Sequence, residues 1–444
     1  MYFIMSINNV TRCLRFLIVL HLMTASLASA QPVTADPVAL LRTAIDLACA
    51  ATTQADLDAM AQRLSHASRL EQHLNINGSG WQRRFVVPDG RLIVERIAPH
   101  GYLHHISIRY DVTDGNRPVL LAMANFTCTI HTARRLTYDE RGNPTWIEHL
   151  DAAFNPTGER EPLNPPVPVR QDPGGVSVAL VDTGINYLLP AINARLARDP
   201  AGRLLGYDYW EMDRRPFDAH PVRSAFFPGR HGTQTASLLL TEAPIVRLLP
   251  YRYPRPDMNR MAVLVEDAAL HGVKLMNLSL VSRSHEEWLP FYKAARRHPD
   301  ILFIVAAGNE GDNIDLHPVY PAALPLENMI TVTSATASGH LAPGVNWGPH
   351  RVDLMAQAEE VLVTDFEGHS RFVSGSSYAT VRVTALAACL LADHPTWRAP
   401  ELKAALFARA QPAAEAGQVA QGFLPHPLPI EHGVCKAQRP ASGI

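Results

Sequence analysis

The chain has 444 residues, 47% of them hydrophobic and 18% charged, an ordinary globular balance that excludes wholesale disorder and a fibrous repeat. That length leaves room for two or three domains with a full core. A formal net charge of −2 at pH 7, with no basic run, gives no electrostatic footprint for nucleic acid or for an anionic membrane surface.

In chain order, residues 1–30 read as a signal peptide: Arg12 and Arg15 precede the apolar run "FLIVLHLMTASL", and "ASA" at Ala28 to Ala30 is a small-residue cleavage pattern. The run is well short of the ~20 residues a membrane span requires. A mature chain starting near Gln31, without a membrane span and either secreted or periplasmic, is therefore expected. Cys13 leaves with the signal, and Cys49, Cys128, Cys389 and Cys435 remain as an even number in an oxidising compartment. Their positions suggest Cys49 with Cys128 and Cys389 with Cys435, with four separate buried thiols as the alternative. Their spacings are too wide for a paired-ligand zinc site.

Residues 31–154 open with helical spacing in "PVALLRTAIDLACA" and "ADLDAMAQRL". Short segments follow, "WQRRFVV", "RLIVERI", "LHHISIRYDV", "MANFTCTIHTARRLTY" and "TWIEHLD", separated by the turn signals "PDG", "TDGN" and "ERGN". A small α+β domain of antiparallel hairpins is expected, with no cluster of evident chemical purpose. Residues 155–175, crowded with proline and glycine and without an apolar period, read as an extended linker.

From 176 to 410 the rhythm changes. "VSVALV", "IVRLLPYR", "VKLMNLSL", "ILFIVAAG" and "MITVTSAT" are continuous apolar runs, and helical stretches near 258–271 and 285–297 separate several of them. Continuous hydrophobicity means burial on both faces, which predicts an α/β fold with a doubly wound, mostly parallel sheet covered by helices. In such a fold ligand chemistry sits at the carboxyl ends of the strands. Residues 411–444 are left as a C-terminal tail.

At those ends stand Asp182, Asn309 and, opening helical patterns, His231 and Ser377. A serine hydroxyl becomes a useful nucleophile when an imidazole accepts its proton, and the imidazole needs a carboxylate to fix its tautomer. The negative oxygen of a tetrahedral intermediate then calls for donors, which the Asn309 amide and the Ser377 backbone N–H at a positive helix terminus can supply. A lone Asp-Thr-Gly also opens aspartic proteases, but those need a second such carboxylate and no second Asp-Thr-Gly occurs.

Over residues 172 to 410 the chain resembles the subtilisin-like serine proteases. The motifs are "ALVDTGI" around Asp182, "GRHGTQTASLL" around His231, "LMNLSL" around Ser279, "IVAAGNEG" around Asn309 and "VSGSSYAT" around Ser377, with supporting echoes in "VYPAAL", "VNWG" and "VDLMAQA". The resemblance implies an endopeptidase acting on protein or peptide substrates, with Ser377 as nucleophile, His231 as general base and acid, Asp182 as its orienter and Asn309 as oxyanion donor. It implies cleft walls from Ser279, Leu280 and Val281 on one side and Ala306, Ala307 and Gly308 on the other. Val281 stands where the family usually has glycine, so a pocket favouring slender side chains is expected. Gln234, Val381 and "AQA" at Ala356 to Ala358 also depart from the family pattern, without removing a catalytic group.

The region 31–154 stands where the family keeps a pro-segment, so an intramolecular inhibitor or a permanent accessory domain is expected there. No cofactor is expected. Calcium is common in the family, but "GYDYWEMDRRPFDAH" matches no ion-loop pattern and reads as a solvated acidic loop. The rival functional readings are a protease-shaped binding or chaperone module without turnover, and an esterase with the same triad. The esterase reading lacks a "GxSxG" elbow around Ser377.

Overall fold

The computed structural model describes residues 36–51, 53–64, 68–221, 224–255, 257–426 and 435. The signal segment and the tail beyond 426, except Cys435, lie outside the described residues. Helix α1 (Pro37–Ala50) begins where the Asp36 side chain accepts from the Val38 amide at 3.0 Å and Pro37 fills the first turn. Leu40, Leu41, Ala44, Ile45 and Ala48 form its buried stripe. With α2 (Gln54–Leu64) it precedes an eight-stranded antiparallel sheet in sequential order: β1 (Arg69–Asn75), β2 (Gly80–Val87), β3 (Gly90–Ile97), β4 (His105–Val112), β5 (Arg117–Asn125), β6 (Ile130–Tyr138), β7 (Pro144–Leu150) and β8 (Pro156–Pro162). The α1 stripe packs on Phe85, Leu92, Ile106 and Ile108. A disulfide joins Cys49, at the end of α1, to Cys128 in the turn between β5 and β6.

Four details differ from the sequence reading, one of them at the far end: residues 411–444 are not merely a tail, because Gly422–Leu424 pairs in parallel with Leu354–Gln357 as a strand of the second sheet. "RLEQHLN" is β1, a strand whose seven residues are all exposed, so no alternation marks it. "MANFTCTIHTARRLTY" is broken by a turn in which the Asn125 side chain accepts from the amides of Thr127 and Thr129. Part of the stretch read as a linker, Pro156–Pro162, is the edge strand β8, where the missing amide donors of its prolines are tolerated.

The remaining elements are β9 (Val176–Asp182), α3 (Pro190–Asn193), β10 (Tyr207–Asp208), α4 (Gly232–Glu242), β11 (Val246–Arg252), α5 (Met261–Leu270), β12 (Leu275–Leu278), α6 (His285–Arg297), β13 (Leu302–Ala306), β14 (Met329–Ala335), β15 (Leu354–Gln357), the ribbon β16 (Val361–Thr364) and β17 (Ser370–Val373), α7 (Ser376–Asp393), α8 (Ala399–Phe407) and β18 (Gly422–Leu424). The second sheet has the order β10-β11-β9-β12-β13-β14-β15-β18, with every pair parallel. Val178 and Leu180 face a cluster built with α4, α7 and α8, while Ala179 and Val181 face another built with α5 and α6. Both faces are thus covered, which is why the strands are apolar throughout. The strand order reverses around β9, and Asp182 stands at the carboxyl end of that strand, the position where folds of this kind place their ligand chemistry.

The two sheets share a core. Leu121, Leu136, Ile147 and Leu163 belong to the same buried cluster as Tyr187, Phe217 and Phe226. The connection between the sheets is anchored at both ends, with residues 166–171 between them largely exposed. Leu163 and Asn164 are buried, the Tyr187 hydroxyl donates to the Pro165 carbonyl at 2.6 Å, and the Asp172 carboxylate accepts from the Arg198 amide and from Arg247. Cys389 in α7 is bonded to Cys435, so both suggested pairs are joined. Among the described residues no helix is long and apolar enough to cross a membrane.

Candidate active site

Asp182 ends β9 and is 3% exposed. His231 stands at the N-cap of α4, and its Nδ1 lies 2.8 Å from Asp182 Oδ1 and 3.0 Å from Oδ2. The Thr183 amide and the Thr235 hydroxyl donate to the same carboxylate, at 2.7 and 3.0 Å. Gly232 is required here: a Cβ would come within 1.9 Å of the Gly184 carbonyl and 3.0 Å of Asp182 Cβ. Burial opposes the charged imidazole, but the Asp182 carboxylate, with a smaller contribution from Asp218, outweighs it. The His231 pKa therefore lies above its usual 6.5. An imidazole held in this way presents its other nitrogen as a proton acceptor, and its side chain remains one-third exposed.

Ser377 is the second residue of α7 and is 8% exposed. Its neighbour Ser376 is fully buried and ties α7 to the loop after β13: its amide donates to Asn309 Oδ1 at 2.8 Å and its hydroxyl accepts from the Gly308 amide at 3.2 Å, while its carbonyl accepts from the Thr380 hydroxyl within the helix at 2.8 Å. Gly375, at φ +134°, lets Asn309 approach, since a Cβ there would lie 3.1 Å from Oδ1. The Ser279 hydroxyl accepts from Asn277 at 2.9 Å and donates to the Ser377 carbonyl at 3.3 Å. Leu280 and Val281 are half-buried against the cluster under α6, whereas Ala306, Ala307 and Gly308 are buried. The His231 and Tyr378 rings are 5.8 Å apart, which brings the imidazole beside the residue that follows Ser377.

Asp218 is the participant the sequence did not single out. It is fully buried, and its carboxylate accepts from the Thr183 hydroxyl at 2.6 Å, from the Thr233 amide at 2.8 Å and hydroxyl at 2.5 Å, and from the His231 amide at 3.3 Å. Burial raises its pKa and these donors oppose the rise. The acidic insertion is therefore not the solvated loop expected. Asp208 is also fully buried, and it and Glu211 pair with the buried Arg252 at 2.8 and 3.2 Å. Among the described residues no group of His, Cys, Asp and Glu has the arrangement of a metal site, and these acids are engaged by arginine, hydroxyls and amides, so they do not fit calcium. Gln234, flagged by its departure from the family pattern, accepts from the Tyr378 hydroxyl at 2.6 Å.

A family model described as Peptidase_S8, the subtilase family, matches residues 174–423. The chain is similar to "Thermophilic serine proteinase" of Bacillus sp. (strain AK1), 26% identical over 238 residues that make up 50% of this chain and 53% of that one. It is also similar to "Subtilisin-like protease het-Q2" of Podospora anserina, 31% identical over 183 residues, 36% of this chain and 48% of that one. The chain spans about half the length of these relatives. Among solved structures, that of a cold adapted subtilisin-like serine proteinase is 22% identical, covers 60% of this chain and 93% of its own, and has a TM-score of 0.47.

Proposed function

Because the chain belongs to the subtilase family, we propose that it is an exported serine endopeptidase that cleaves peptide bonds through an acyl-enzyme. Ser377 Oγ attacks the scissile carbonyl while His231 Nε2 takes its proton. Asp182 holds the imidazole by Nδ1 and stabilises the imidazolium that forms. The Asn309 side-chain amide and the Ser377 N–H, at the positive end of the 18-residue helix α7, meet the negative oxygen of the tetrahedral intermediate. His231 then returns the proton to the departing amine, and water repeats the sequence on the ester. Ser279 to Val281 and Ala306 to Gly308 flank the substrate chain, with Val281 narrowing the pocket. Two disulfides among the described residues support an oxidising destination.

The observation that carries the reading is the 2.8 Å contact of His231 with the buried Asp182, beside a helix whose second residue is Ser377. Purified protein treated with a fluorophosphonate probe is expected to carry the adduct on Ser377, and Ser377→Ala and His231→Ala are expected to abolish it. A wild type that stays unlabelled would sink the reading in favour of a binding module without turnover.

A further inference from the structure

The chemistry above leaves the N-terminal sheet without a task, yet that sheet grips the chain immediately ahead of His231. Arg230, with a side chain 12% exposed, sends Nη2 to Glu161 Oε2 on β8 at 2.7 Å and Nη1 to the Asp218 carbonyl at 2.9 Å. Its guanidinium lies 3.4 Å from the centroid of the Phe366 ring. Glu161 is held in turn by its own sheet, with His149 Nε2 at 2.8 Å and Arg134 Nη1 at 3.3 Å from Oε1. Arg134 also donates to the Phe226 carbonyl at 2.7 Å and lies over the Phe227 ring. Two arginines, Arg134 on β6 and Arg230 just ahead of α4, thus tie Phe226, Asp218 and the residue before His231 to the N-terminal sheet.

A domain destined for removal needs a connection that unfolds readily and an interface that tolerates water. Here the connection is pinned at Asn164, whose amide donates to Glu211 and Asp213, and again at Asp172. Loss of the N-terminal sheet would also expose the cluster shared by Leu121, Leu136, Ile147, Phe217 and Phe226, and would leave Arg230 without its carboxylate.

We propose that the N-terminal domain is a retained part of the active site, in which Glu161 is a positioning residue that holds Arg230 and so keeps His231 where it can serve Ser377. The inference rests on the endopeptidase reading above. Arg230 acts by two routes. It is peptide-bonded to His231, and it holds the backbone of Asp218, whose carboxylate fixes the first turn of α4 through Thr233. A small displacement of a catalytic group costs one to two orders of magnitude in rate without weakening substrate binding in proportion.

The test uses the full chain with Glu161→Ala, the isosteric Glu161→Gln, and as control Glu71→Gln on the far edge strand β1. For Glu161→Ala, kcat on a peptide substrate is expected to fall about tenfold with KM within about twofold, because the cleft walls are untouched. Glu161→Gln, which keeps an acceptor for Arg230, should lose less, and the control nothing. The NMR resonance of the His231 Nδ1 proton shared with Asp182 should shift or broaden in Glu161→Ala alone. That resonance reads the position of the imidazole whether or not a peptide is cleaved, so a wild type unreactive at Ser377 counts against the endopeptidase reading and not against the role of Glu161. An unmoved resonance with wild-type kcat in Glu161→Ala would overturn the proposal, as would mass analysis of the active mature protein showing a chain that begins beyond Glu161.

Discussion

In the proposed mechanism the contact between Asp182 and His231 couples catalysis to pH. The His231 pKa is raised because the buried carboxylate favours the charged ring more than burial disfavours it. As a base the ring must be neutral, so kcat/KM should rise with pH through a value above 6.5. The linkage to stability has the opposite sense: the raised folded pKa gives a stabilisation fully present below the unfolded value, and lost as pH rises through the folded one. Asp182→Asn should move the His231 titration to lower pH in an NMR experiment and flatten this part of the urea-midpoint profile, while kcat falls about 10⁴-fold. The four residues proposed for the chemistry could be singled out because apolar strands run into Asp182 and Asn309 and helix patterns open at His231 and Ser377. Asp218 was not, because "RRPFDAH" is locally a polar loop and nothing within it signals that Thr183 and Thr233 will enclose the carboxylate. Gln234 could be flagged from the sequence, but its bond to Tyr378 spans 144 residues.

At the scale of elements, α4 carries His231 as its N-cap yet receives no side-chain cap from it. The first-turn amides are met from elsewhere: Gly232 donates to Thr183 Oγ1 at 2.9 Å and Thr233 to Asp218 Oδ2 at 2.8 Å. The Thr183 hydroxyl also accepts from the His231 amide at 3.1 Å. Thr183→Val keeps the shape and strands these partners, so a loss of about 1–3 kcal/mol in urea unfolding is expected, with reduced kcat. A loss below a few tenths of a kcal/mol would mean that the cap has another source. Continuous apolar runs made β9, β11, β12, β13 and β14 readable, while β10, β15 and β18, of two to four residues each, are too short to show one, and turn signals revealed most of the hairpins. β1 and β8 escaped because edge strands need no buried face: β1 is polar and fully exposed, and β8 carries proline at both ends.

For the whole molecule, the disulfides close loops of 79 and 46 residues, one within each sheet's domain. The chain-entropy model gives an upper figure of about 4 kcal/mol for the shorter loop, so replacing Cys389 and Cys435 with serine should lower the calorimetric Tm by several degrees. An unchanged Tm would show that the bridge holds a segment already free in the unfolding transition. The pairing was suggested by position alone, whereas the shared core was invisible in the sequence, since Leu121 and Phe226 lie on strands and loops that look self-sufficient. That shared core has a consequence for survival. The nearest substrate of an endopeptidase is another copy of itself, and cleavage requires a stretch of chain to open locally into the other copy's cleft. Leu163 and Asn164 are buried and Asp172 is held by Arg198 and Arg247, so the ends of the proline-rich connection open only with the fold around them, while residues 166–171 between them are largely exposed. A cut in that exposed stretch would still leave the two sheets joined by the apolar cluster they share.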